Sequence, residues 1–138
     1  MTKKWSNISE LSDKTILNRL SSEYDISIPG NFSEFIRLYN GGSVFPRPYI
    51  YSQKESRGVM MDRILTFNEN DTRTSSVNAL NVIIDLVCSD KELLGIPFAM
   101  SDRGILSVSG NSVLHRDNVT GETWVLDDSF SHFMAVVV

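Results

Sequence analysis

The chain has 138 residues, 41% apolar and 22% charged, with a formal charge of −4. That size and balance suit a single domain over residues 1–138 with one real core, and exclude global disorder. A lone cysteine, Cys88, excludes an internal disulfide framework, and no apolar run approaches the roughly 20 residues that a membrane span needs.

The charge is unevenly placed. Residues 1–69 hold nine Lys/Arg against eight Asp/Glu, a net of +1; residues 70–138 hold four against nine, a net of −5. Phosphate binding needs clustered cations, so nucleic acid is not the expected ligand, whereas a basic partner suits the acidic half. Lys3 and Lys4 have no apolar stretch behind them, so no signal peptide is read and a reducing, cytoplasmic location is expected.

A first helix opens near Ser12-Asp13-Lys14, with Ile16, Leu17, Leu20 and Tyr24 as its apolar stripe. Pro29 ends what precedes it. A second helix is predicted over residues 31–39, with Asn31 as N-cap and Glu34 completing a capping box. Phe32, Phe35, Ile36 and Tyr39 share one face of it. Asn40-Gly41-Gly42 then closes the helix, because Asn and Gly tolerate the left-handed conformation, and turns the chain toward a strand.

Pro46 and Pro48 exclude a central strand from the start of the next stretch, but an edge strand can begin at Pro48. Residues 58–67 suit either a strand or a helical turn. Residues 68–76 form a polar loop, and a third helix is predicted over about 76–88 on Val77, Leu80, Ile83, Ile84 and Val87. Cys88 near its end reads as a small apolar filler.

The last third changes character. Residues 96–100, 105–108, 112–115 and 123–126 are strand-like, and each separator carries Gly with Asp or Asn, the chemistry of hairpin turns. The expected result is an antiparallel meander. Ser129 caps a final helix with Phe130, Phe133, Met134 and Val137 on one face, and Val136-Val137-Val138 is poor helix material.

Candidate chemistry is sparse. His115, His132 and Cys88 have no metal-ligand spacing, and His115-Arg116-Asp117 copies a kinase tripeptide without the rest of a kinase. Asp127 and Asp128 are adjacent on an extended segment and so diverge; one is expected to favour the start of the last helix and the other to be solvated. No enzyme activity, metal or cofactor is expected.

A family resemblance rests on several of these residues. Ile28-Pro29, the Phe32-x-x-Phe35-Ile36-x-x-Tyr39 helix and Asn40-Gly41-Gly42 resemble the signature of the SUKH superfamily, the Smi/Knr-like proteins. Ile96-Pro97-Phe98-Ala99 with Gly104, and Thr123-Trp124 followed by Ser129-Phe130-x-x-Phe133, are similar to its later motifs. The resemblance implies an α+β fold, a mainly antiparallel sheet (the C-terminal meander) with helices packed against it. It implies an immunity protein that binds and neutralises a cognate toxin; the alternative is a non-enzymatic regulator of the cell-wall-assembly type. A basic nuclease toxin would be matched by Asp102, Asp117, Glu122, Asp127 and Asp128, which the meander puts mainly in turns. Trp124 is either an exposed anchor for that partner or a core residue.

Overall fold

The computed structural model describes residues 2–71, 77–89 and 92–138. Eight strands run β1 (Lys4–Ser6), β2 (Ser43–Phe45), β3 (Tyr49–Ser52), β4 (Arg57–Ile64), β5 (Ile96–Ser101), β6 (Gly104–Ser109), β7 (Ser112–Asp117) and β8 (Thr123–Asp127). Four helices complete the chain: α1 (Ile16–Tyr24), α2 (Gly30–Tyr39), α3 (Ala79–Cys88) and α4 (Phe130–Val137). The strands form one antiparallel sheet in the order β1-β2-β4-β5-β6-β7-β8, and β3 pairs with β4 beside β2. The fold is therefore α+β, with the C-terminal meander as expected.

Alternation builds the meander. β6 buries Leu106 and Val108, β7 buries Val113 and His115, and β8 buries Trp124 and Leu126, one residue in two. β5 is buried nearly throughout: α2 and α4 pack on Phe98, α3 lies against the strand, and β4 and β6 flank it. Pro97 stands inside this central strand, where it cannot donate to the ladder. The register of β5 against β6 shifts between Pro97 and Ala99, a bulge that removes the demand for its N–H.

The phenylalanines of the three motifs meet in one cluster. Phe32 and Phe35 from α2, Phe98 from β5, and Phe130 and Phe133 from α4 are all fully buried. Phe32 meets Phe98 edge-on at 5.4 Å, Phe35 meets Phe130 at 5.6 Å, and Phe98 meets Phe133 at 5.6 Å. Each such side chain stabilises by about 1.5–3 kcal/mol on burial, and edge-to-face geometry adds to that. The motif residues thus hold the two helices onto the sheet.

Several expectations need correction. The capping box at Asn31 and Glu34 does not form. Pro29, at φ −67° and ψ 150°, takes the cap position, and its carbonyl accepts from Phe32 N at 3.0 Å. Asn31 lies inside the helix and donates to Ser131 Oγ at 3.0 Å, while Glu34 pairs with Arg37. Asn40 is not left-handed (φ −50°); Gly41 is, at φ 71°. β1 has no forerunner in the sequence pattern, since three residues give no period to read. β2 lies between β1 and β4 despite the nearby prolines, because it ends before Pro46. The ambiguous stretch at 58–67 is strand as far as Ile64. α4 stays helical through Val137, held by the packing of Phe130, Phe133 and Val137 rather than by propensity.

The third helix begins at Ala79, with Asn78 Oδ1 accepting from Leu80 N at 2.8 Å. Ile83 is buried, but Ile84, Val87 and Cys88 are exposed, so Cys88 is not a core filler and the apolar stripe is wider than the face it buries. Of the polar loop, residues 72–76 lie outside the described residues.

Candidate functional site

The N-terminal motif is a clamp. Asn40 is fully buried; its Oδ1 accepts from Phe67 N at 2.8 Å and its Nδ2 donates to Ser9 O at 3.2 Å. Gly41 N donates to Leu65 O, and Gly42 O accepts from Ile64 N. A Cβ on Gly42 would lie 3.0 Å from both Ile8 Cγ1 and Tyr39 O, so bare backbone is required there. A second buried asparagine, Asn68, takes Ser12 N and donates to Glu10 O. Together they bind the N-terminal segment, α2 and the end of β4. Pro29, Phe32, Phe35, Tyr39, Asn40, Gly41, Gly42, Pro97 and Gly104 all sit where they build the scaffold. At Gly104 a Cβ would run into the Arg116 carbonyl across the β6–β7 pair.

The six candidate contact residues divide between the two ends of β8. Asp102, Asp117 and Glu122 gather at its start. Asp102 accepts from Met60 N at 3.1 Å and fastens the β5–β6 turn to β4. Asp117 is buried rather than free in a turn; it takes the N–H groups of Val119 and Thr120 and pairs with Arg103 at 3.2 Å. The Thr120 and Val119 backbone bonds, with the Arg103 charge, hold its carboxyl below the usual range. Glu122 is held down by its bond to Arg57, 2.9 Å between Nη1 and Oε1. Trp124 is only 7% exposed and belongs to the core, with Arg57 stacked on it.

Asp127 and Asp128 lie at the other end, where a cleft of about 690 Å³ opens between the β3–β4 turn and the β8–α4 junction. Its walls are Tyr51, Ser52, Gln53 and Lys54 on one side, and Val125 to Asp128 with His132 on the other. Asp127 Oδ1 accepts from Ser129 N at 2.9 Å and Oδ2 meets His132 Nδ1 at 2.5 Å. The Asp127 hydrogen bond and charge push the His132 pKa up. Asp127 thus serves the start of α4, as expected for one member of the pair, while Asp128 is exposed.

Comparison with known proteins finds no matching family model, curated protein or solved structure.

One pair imitates catalysis. Ser101 Oγ lies 2.8 Å from His115 Nε2, the spacing of a nucleophile and its base. The serine oxygen already accepts from Arg103 N at 3.0 Å and Gly104 N at 2.8 Å, and it also lies 3.3 Å from Gly104 O. Both residues are buried, and burial pushes the His115 pKa down. The pair locks the β5–β6 turn; it offers no attacking oxygen to a substrate. Among the described residues no group of His, Cys, Asp and Glu is arranged to hold a metal.

Tyr49 and Tyr51 escaped sequence reasoning. They project from β3 with Ile50 buried between them, 56% and 53% exposed, their rings stacked at 6.4 Å. The signal was the alternation Tyr-Ile-Tyr-Ser, in which both faces look apolar.

Proposed function

We propose that this protein is a toxin-neutralising immunity protein, acting by direct contact rather than by catalysis. The observation that carries the reading is the cleft beside β3. Exposed large aromatic side chains next to a concave surface are the usual anchor chemistry of a protein-binding face. The exposed Asp128 on its wall, and the excess of carboxylates in residues 70–138, favour a basic partner such as a nuclease-type toxin. The resemblance to the SUKH superfamily points the same way, and its motif residues account for the scaffold.

The experiment is co-expression with the toxin encoded in the neighbouring gene. The reading expects growth to be restored and the two proteins to co-purify. Growth arrest undiminished by a well-expressed protein rejects it.

A further inference from the structure

We propose that the cleft beside β3 is also a small-molecule site, and that it takes a zwitterion with an apolar body, a free α-amino acid or a very short peptide. This goes beyond the toxin reading and does not depend on it. Backbone geometry carries the first part of the argument. Met61 N donates to Pro48 O at 2.9 Å, so antiparallel alternation makes Ile50 with Val59, and Ser52 with Arg57, the next bonded pairs. Tyr51 therefore turns its N–H and C=O away from β4. On the neighbouring strand, Asp117 N donates to Glu122 O at 2.9 Å, so Trp124 is bonded to His115 and Val125 turns its backbone away from β7.

β3 and β8 lie side by side with Cα atoms within 8 Å, and among the described residues they do not pair. A strand inserted between them would need two ladder spacings, roughly 9.5 Å. The gap is too narrow for that. It suits a small molecule, whose ammonium can bond a backbone carbonyl and whose carboxylate can bond an N–H. The cleft that Tyr51, Ser52 and Val125 help to line measures about 690 Å³. That falls inside the range of about 300–1,000 Å³ typical of small-ligand sites.

Side chains set the ligand's chemistry. Asp127 is already committed, because it accepts from Ser129 N and pairs with His132 Nδ1. Two charged side chains of the lining have no hydrogen bond or ion pair among the described residues: Lys54 on one wall and Asp128 on the other, both exposed. A lone cation would meet the Lys54 ammonium, and a lone anion the Asp128 carboxylate. A zwitterion answers both. Tyr51 and Val125, 53% and 37% exposed, supply apolar surface for its body.

The test titrates L-leucine and the dipeptide Leu-Leu into the isotopically labelled full chain while backbone amide resonances are followed. Saturable shifts centred on Tyr51, Lys54, Val125 and Asp128 are expected, and the tighter of the two ligands tells an amino acid from a peptide. N-acetyl-leucine lacks the ammonium and leucinamide lacks the carboxylate; each is expected to bind at least about tenfold more weakly. Lys54→Gln and Asp128→Asn, each confirmed folded, are expected to weaken leucine or dipeptide binding by at least about tenfold. No saturable shift at about 10 mM ligand, shifts centred elsewhere, equal binding of the two analogues, or wild-type affinity in both variants overturns the proposal. Zwitterion binding by a protein that gives no protection against the toxin supports the site and rejects the toxin reading. Protection without zwitterion binding rejects the site and leaves the toxin reading standing.

Discussion

The guanidinium of Arg57 sits 4.2 Å from the centre of the Trp124 ring and bridges the start of β4 to β8. The same arginine pairs with Glu122 and Glu55. It pairs with Ser52, which lines the cleft, at the seam where β3 and β8 lie side by side and, among the described residues, without a ladder. Removing the ring removes both a large core side chain and the seat of the arginine. Trp124→Ala is expected to cost about 3–5 kcal/mol in urea unfolding. Arg57→Gln, which leaves the ring in place, is expected to lower the midpoint by much less. Equal losses would mean that the ion pairs, not the ring, hold the seam.

Asn40 supplies the second prediction. Its side chain answers Phe67 N and Ser9 O inside the protein. Asn40→Ala leaves both unanswered, at about 1–3 kcal/mol for each buried group left without a partner. Denaturant unfolding checks it, and hydrogen exchange at the Phe67 amide should speed up in the variant. An unchanged midpoint would show that water replaces the amide without cost.

The glycines separate sharply. Gly30 opens α2 with nothing within 4 Å of the place a Cβ would occupy, so Gly30→Ala is expected to stabilise by about 0.4–1 kcal/mol. Gly42→Val meets Ile8, Tyr39 and Trp5, and Gly104→Ala meets backbone across the β6–β7 pair. Both are expected to unfold the protein or lower its thermal midpoint strongly. A folded Gly41→Val, Gly42→Val double variant that had lost only toxin binding would move the motif from scaffold to interface.

The two histidines give opposite pH dependences. Asp127 raises the His132 pKa above its ordinary 6.5, so the folded state holds that proton more tightly than the unfolded chain. Its stabilising contribution is complete below pH 6.5 and is lost as pH rises through the folded value. Burial lowers the His115 pKa, so its contribution is present above pH 6.5 and is lost as pH falls through the folded value. Urea midpoints measured across this range should show His132→Gln removing the alkaline loss. The acid-side loss should persist in that variant.

Much of the fold was legible from particular residues. Gly-Asp/Asn turns located β5 to β8; β6 to β8 alternate because each faces a core on one side only, whereas β5 reads as a continuous apolar run. The Phe-x-x-Phe spacings in α2 and α4 marked the faces that meet Phe98. Local rules failed where tertiary contacts decide. Asn31 looked like a cap, but Pro29 already fixes the turn and Ser131, a hundred residues away, takes the amide. β1 is too short to have a period, and Ile84 and Val87 carry an apolar pattern that the core does not use. At the site, Asp127 and Asp128 were singled out by charge, whereas Trp124, offered as a possible anchor, lies in the core. Tyr49 and Tyr51 were not, because solvent exposure depends on which side of β3 the sheet leaves open.

The central claim is that this protein binds a toxin and silences it without chemistry of its own. The direct measurement titrates the purified protein into the purified toxin of the neighbouring gene and follows the toxin's activity. The account predicts that activity falls in proportion to added protein, ends at a stoichiometric complex, and returns when the complex is dissociated and the protein removed. Toxin that keeps full activity at large excess, or that stays inactive after the protein is removed, would contradict it.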